Sequence, residues 1–162
     1  MTSAPRCGTV RHMPDGSVLV IGSRGGDHVA LHPLCRSHPD ATDYWDGNWL
    51  KVEVDVRTGA FRGKYVADLR VEEFENFRAQ LDSLYKSLRG EAALNSMEGW
   101  VSVRLAADRL GHLKAECEVR DQPGMGSRLL FTLDLDQSFI PTMVAALDDV
   151  MRRYPLVGHP DT

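Results

Sequence analysis

The sequence predicts an α+β protein: a single domain in which an antiparallel β-sheet of five to seven strands carries two amphipathic helices on one face. Several segments alternate strictly between apolar and polar residues, and two longer ones repeat apolar residues at helical spacing. The chain of 162 residues also has the usual size of one domain. We divide residues 1–162 into an irregular N-terminal part with short strands (1–43), a core (44–154) and a tail (155–162).

The best-defined strands form a predicted hairpin. Apolar and charged residues alternate through residues 49–57, as a strand with one buried face requires. Thr58 and Gly59 supply turn chemistry, and residues 61–69 alternate again. We therefore expect two antiparallel strands joined by a tight turn.

Two segments are predicted to be helices. In residues 71–88, apolar side chains recur every three or four positions and form one stripe, and Gly90 is a natural stop. The second helix begins near Ser138, a favourable N-cap, and ends before Pro155.

Three further strands are expected between the helices, at residues 101–105, 113–119 and 129–135. The N-terminal part is less regular. It contains two candidate short strands, at 18–21 and 28–31, followed by a predicted loop over 32–48. No internal repeat is visible, and we expect the tail from Leu156 onwards to be frayed.

Composition excludes several classes of protein. The formal charge of −4 disfavours a general nucleic-acid binder, and no apolar run is long enough to span a membrane. The three cysteines are few and scattered, so we expect reduced thiols in a soluble, cytoplasmic protein.

Motifs for catalysis or cofactor binding are weak. The glycine-rich segment 22–26 lacks the Lys-Ser/Thr pair of a phosphate loop. His28, His32, Cys35 and His38 are spaced closely enough for a zinc site, although a surface loop explains them better. No serine or cysteine is recognisably paired with a histidine. We therefore assign no catalytic, cofactor-binding or metal residue and expect no cofactor.

Two groups of residues are candidates for binding a partner. Tyr44, Trp45 and Trp49 flank Asp46, and such aromatic and acidic residues form either a protein-binding patch or a cover for the end of the sheet. Asp134 and Asp136 share the polar face of a strand, where they suit a cation or acid/base chemistry. For Asp136 we favour a simpler role, in which its side chain caps the following helix.

Several phrases, taken in order, resemble one protein family. They are DYWDGNWL at residues 43–50, LRGEA at 88–92, MEG at 97–99, GH at 111–112 and LDLDQS at 133–138. In this order they are similar to the WapI-type immunity proteins, bacterial proteins associated with polymorphic toxin loci. The resemblance extends from about Asp43 to Tyr154, and Asp46, Asn48, Trp49, Glu98 and Asp136 match its pattern.

The resemblance implies a non-catalytic binding protein. A member of such a family binds and neutralises the toxin encoded beside it, so the implied partner is a cognate toxin, with neither nucleic acid nor membrane contacted directly. The alternatives are a small metal-dependent or hydrolytic enzyme and an accessory protein that forms a homodimer.

Overall fold

The computed structural model of the protein describes Cys7 and residues 18–161, so most of the first 17 positions lie outside the described residues. The described part contains eight strands and three α-helices. In chain order they are β1 (Leu19–Gly22), β2 (His28–Arg36), α1 (Tyr44–Gly47), β3 (Trp49–Thr58), β4 (Phe61–Arg70), α2 (Val71–Ser87), β5 (Glu91–Asn95), β6 (Val101–Ala107), β7 (His112–Arg120), β8 (Arg128–Asp136) and α3 (Ile140–Arg153).

The strands form two antiparallel sheets, each with its strands in chain order. The first sheet runs β1-β2-β3-β4 and the second β5-β6-β7-β8. The predicted α+β class is confirmed. The predicted single sheet with five to seven strands and two helices is wrong in number, because each long helix follows a four-stranded sheet of its own and α1 is an additional helix.

Both sheets and both long helices contribute to one hydrophobic core. The inward residues of β3, at Leu50, Val52, Val54 and Val56, are at most 1% exposed. The same cluster contains Leu81 of α2 and Leu147 of α3. α2 contacts α3 and β5, while α3 also contacts β1, so the helices join the two sheets.

Strand β2 replaces much of the predicted loop over 32–48. It extends from His28 to Arg36 and pairs with β3 throughout, with an irregularity between Pro33 and Cys35. Pro33 has no amide hydrogen to donate, so the register shift at this point accommodates it. The proline and the break in alternation conceal this strand in the sequence.

Helix α2 begins without the usual side-chain cap. The Glu73 carboxylate accepts hydrogen bonds from the amides of Arg70 (3.0 Å) and Met97 (2.7 Å), and burial raises the pKa of this carboxyl to about 7. The helix ends at Ser87, and the C-cap residue Leu88 adopts a left-handed conformation with φ of 52°. Gly90, the predicted stop, follows two residues later with φ of 88°.

Two cysteines behave differently from the prediction. Cys7 and Cys35 form a disulfide, with their Cα atoms 5.7 Å apart, so the expectation of reduced thiols is wrong for this pair. The cysteines therefore do not support the prediction of a cytoplasmic location. Cys117 is free and buried, and its burial raises the pKa of the thiol to about 12.

Among the described residues, no helix has both the length and the apolar character needed to cross a lipid bilayer.

Candidate partner-binding site

Helix α1 holds the aromatic residues that the sequence singles out. Asp43 precedes it in extended backbone, and its carboxylate accepts hydrogen bonds from the amides of Trp45 (3.0 Å) and Asp46 (2.9 Å). These bonds, that of Asp46 above all, lower the pKa of the Asp43 carboxyl. The cap fixes one helical turn, and we call residues 44–49 the aromatic turn.

Arg70 lies beneath the aromatic turn and is 1% exposed. Its guanidinium donates hydrogen bonds to the carbonyls of Trp45 (2.6 Å) and Tyr44 (3.0 Å) and contacts the carboxylate of Glu72. It also lies over three rings, 5.4 Å from the centroid of Tyr44, 5.6 Å from Trp45 and 4.9 Å from Trp49. A buried cation with these acceptors and ring faces holds the turn in one arrangement.

Asn48 ties the aromatic turn to the C-terminal tail. It is fully buried, and its side-chain amide donates to the carbonyls of Tyr44 and Val157, both at 2.9 Å. Its side-chain oxygen accepts from the amide of Val157 at 3.0 Å. The predicted frayed tail is therefore wrong for this part of the tail, because its backbone is paired with a buried side chain.

Arg36 makes a second link between the turn and the tail. Its guanidinium donates to the carbonyls of Gly47 (2.6 Å) and Pro155 and lies 5.9 Å from the ring centroid of Tyr154. Burial lowers the pKa of Arg36, and the two carbonyls and the ring replace part of its lost hydration.

The structure brings four of the six candidate partner-binding residues together. Trp45 is 54% exposed, and Asp46 is exposed beside it. Tyr44 and Trp49 are half-buried, and the ring of Tyr44 meets that of Trp45 edge-on at 5.1 Å. Tyr44 and Trp49 pack over Arg70, as expected of rings that cover the end of the sheet, while Trp45 is exposed. That these residues bind a partner stays a prediction.

Asp134 and Asp136 lie elsewhere, on the polar face of β8. They line a groove of about 650 Å³ together with Asp108, His112 and Lys114. Asp136 accepts hydrogen bonds from the hydroxyl and from the amide (2.7 Å) of Ser138, and these bonds, that of the hydroxyl above all, lower the pKa of its carboxyl. The structure thus gives Asp136 the favoured capping role, at the start of a short 3-10 turn before α3.

The two groups of candidates are far apart. Asp134 lines a second groove together with Asp27, which lies at the tip of the β1–β2 hairpin. The end of β3 lies beside this tip, because Arg57 of β3 pairs with His28 of β2. Trp49 is at the start of β3, eight residues earlier. At 3.3–3.4 Å per strand residue, the aromatic turn is about 27 Å from the hairpin tip.

Charges on the outer faces of the sheets are largely paired. On the first sheet, Lys51 lies 2.6 Å from Asp68, and Lys64 contacts Glu53 and Asp55. The second sheet has a similar network. Arg104 pairs with Glu91 and Glu116, and Arg120 and Arg128 both pair with Glu118. These faces therefore carry little uncompensated charge.

The surface at the aromatic turn is different. Asp40, Asp43 and Asp46 are exposed, and none belongs to an ion pair found among residues 18–161. Arg70, the buried cation beneath them, contacts Glu72, and its charge also helps to lower the pKa of Asp43. Among the described residues, the exposed charged side chains of this region are thus carboxylates.

The proposed zinc ligands are not assembled into a site. His28 lies on β2, in agreement with the strand predicted over 28–31, His32 lies on β2 instead of in the predicted loop, and Cys35 is bonded to Cys7. The ring of His28 hydrogen-bonds the carbonyl of Gly26 at 2.8 Å and lies 3.7 Å from Asp55. Within the described part of the chain, no cluster of three or more His, Cys, Asp or Glu residues is arranged to hold a metal ion.

The immunity protein WapI-like family matches residues 20–155, which is most of the chain. The protein belongs to the WapI-like immunity protein family. This confirms the resemblance carried by the phrases between Asp43 and Ser138, and extends it into the N-terminal part, where β1 and β2 lie. An immunity protein family also points to a role other than catalysis.

Other comparisons add little to the family assignment. No curated protein matches the chain. A solved structure described as crystal structures of Trypanosoma bruciei MRP1/MRP2 is 10% identical, with a TM-score of 0.45, and the match covers 89% of this chain and 88% of that one. A likeness at this level carries no argument about function.

Sequence reasoning missed Arg70 and Arg36, which support the aromatic turn, and named Asn48 only as a match to the family pattern. One of them could have been found. In the predicted hairpin, Thr58 pairs with Phe61, and continuing this register along both strands places Trp49 opposite Arg70. The tail contacts of Asn48 and Arg36 span more than a hundred residues and leave no local signal.

Proposed function

We propose that this member of the WapI-like family neutralises a cognate bacterial toxin by binding it, without catalysing a reaction. Family membership over residues 20–155 is the observation that carries the proposal. In this proposal the protein acts in the cytoplasm of the producing cell and contacts neither nucleic acid nor membrane directly.

The aromatic turn is the favoured contact surface. Its residues Tyr44, Trp45, Asp46 and Trp49 combine an exposed indole with a rigid support, and aromatic residues often dominate protein interfaces. Asp134 and Asp136 are the weaker candidates, because Asp136 caps a 3-10 turn and both lie on β8 of the second sheet, away from the aromatic turn.

Co-expression with the toxin encoded by the neighbouring gene tests the proposal. We expect the pair to co-purify as a stable complex and the immunity protein to restore growth of cells that produce the toxin. A toxin from an unrelated locus is the control and should be neither bound nor neutralised. Failure to form a complex together with failure to restore growth would contradict the proposal.

A second measurement tests the absence of catalysis. Toxin released from the complex by denaturant and refolded should have its original mass and its original activity. A covalently altered or cleaved toxin would show that the protein acts as an enzyme.

A further inference from the structure

Building on the proposed function, we propose that the aromatic turn binds a basic loop of the toxin, with an arginine or lysine side chain against the exposed indole of Trp45 and beside the carboxylates of Asp43 and Asp46. The family assignment names neither this surface nor the chemistry of the segment it receives. The proposal depends on the support of the indole ring, its exposure and the charge around it.

The ring of Trp45 is presented rigidly. Arg70 lies over the ring at 5.6 Å and also holds the backbone carbonyl of Trp45, while Tyr44 meets the ring edge-on. Arg70 is buried beneath the ring, while Trp45 itself is 54% exposed. A side chain already fixed in place loses little conformational entropy when a partner binds.

The charge at this surface selects a basic partner. Asp40, Asp43 and Asp46 are exposed without ion pairs among the described residues, whereas carboxylates on the outer faces of the sheets are largely paired. An indole face attracts a cation through its quadrupole, and neighbouring carboxylates add a Coulomb attraction that speeds encounter. The combination fits a guanidinium or ammonium group carried on a protein loop.

The same charge disfavours two other occupants. A nucleic acid would bring phosphates against three carboxylates. A second copy of this chain, related by a twofold axis through the aromatic turn, would place the acidic residues of one protomer against those of the other. A basic segment of the toxin is the occupant with complementary charge.

Titration of the purified toxin with variants of the full chain tests the proposal. We expect Trp45→Ala to raise the Kd at least about thirtyfold, because exposed tryptophans that anchor an interface typically have effects of this size. Asp46→Lys should lower the association rate at least about tenfold in low salt, and the difference from wild type should shrink as salt is added.

A matched control lies at the opposite end of the first sheet, where Phe61 is 66% exposed at the start of β4. We expect Phe61→Ala to leave the Kd within about twofold of wild type. Asp134→Asn, on β8 of the second sheet, tests the weaker candidate surface. We expect Asp46→Lys to fold normally, because Asp46 bonds to Asp43 through its backbone amide and not through its side chain.

The outcomes separate this inference from the proposed function. If wild type binds the toxin but Trp45→Ala and Asp46→Lys bind equally well, the aromatic turn is not the contact surface and the inference is wrong. Loss of binding in Asp134→Asn alone would move the contact to the β8 groove. If wild type itself fails to bind the toxin, both the proposed function and this inference are wrong.

Discussion

Arg70 shows how one residue can organise a surface without being part of it. Its guanidinium is shielded from water but retains two carbonyl acceptors, a carboxylate and three aromatic faces. A cation that is removed from water is tolerated only when such partners replace its hydration. Their positions in turn determine where the Trp45 ring lies.

We predict that Arg70→Met lowers the free energy of unfolding by about 3–5 kcal/mol, because it leaves Glu72 and the carbonyl of Trp45 without their buried donor and removes one of the two donors to the carbonyl of Tyr44. Urea denaturation followed by circular dichroism measures the change.

Arg128→Met is the matched control for this prediction. Arg128 is exposed and pairs with Glu118 on the surface of the second sheet, so its loss should cost less than about 1 kcal/mol. Equal effects of the two substitutions would show that Arg70 is not a structural centre of the aromatic turn.

At the scale of elements, local patterning predicts some strands and misses others. β3 and β7 alternate through most of their lengths, and the sequence identifies both. β5 is missed because only Ala92 and Leu94 are buried in its five residues. For α1 the sequence offers one turn with no apolar stripe, so its cap at Asp43 is the only local signal.

The C-terminal tail is an element whose place depends on one small residue. A Cβ atom at Gly47 would come 2.4 Å from Val157 Cγ2 and 3.0 Å from the carbonyl oxygen of Ala41. The tail can approach α1 closely enough for Val157 to pair with Asn48 because position 47 has no side chain.

We therefore predict that Gly47→Ala lowers the free energy of unfolding by about 1–3 kcal/mol, as overpacking of a buried contact usually does. It should also speed hydrogen exchange at the Val157 amide, which the tail contact protects.

Gly25→Ala provides the control, because a Cβ atom there meets nothing within 4 Å. Its stability and its exchange at Val157 should match wild type. Unchanged protection of Val157 in Gly47→Ala would mean that the tail contact does not require a glycine at this position.

The described part of the chain consists of two units of the same order, four antiparallel strands followed by a long helix, with the short helix α1 between β2 and β3 of the first unit. No repeat is visible in the sequence, because the two units share the order of their elements and not an evident sequence pattern. The units are joined by contacts of α2 with β5 and α3, and by contacts of α3 with β1. Each helix therefore packs against the first strand of the other unit.

This arrangement predicts a single cooperative unfolding transition. Leu147→Ala removes a fully buried side chain from the shared core and should cost about 2–5 kcal/mol. Because the core is shared, the first unit should lose stability together with the second.

Two probes measure whether the two units unfold in the same transition. Far-UV circular dichroism follows both sheets, and tryptophan fluorescence of a Trp100→Phe background follows only the indoles of Trp45 and Trp49 in the first unit. The two midpoints should coincide and shift together in Leu147→Ala, whereas Leu110→Ala, 81% exposed, should leave them in place. Separate midpoints would show two independent domains.

The sequence alone determined the α+β class, the long helices, the hairpin of β3 and β4 and the resemblance to an immunity protein family. These features depend on residues close together in the chain, whose periodicity and turn chemistry act locally. The tertiary structure decided the division into two sheets, the docked tail and the burial of Arg70 under the aromatic turn. Those features depend on pairings such as Asn48 with Val157, which form only when distant segments of the folded chain meet.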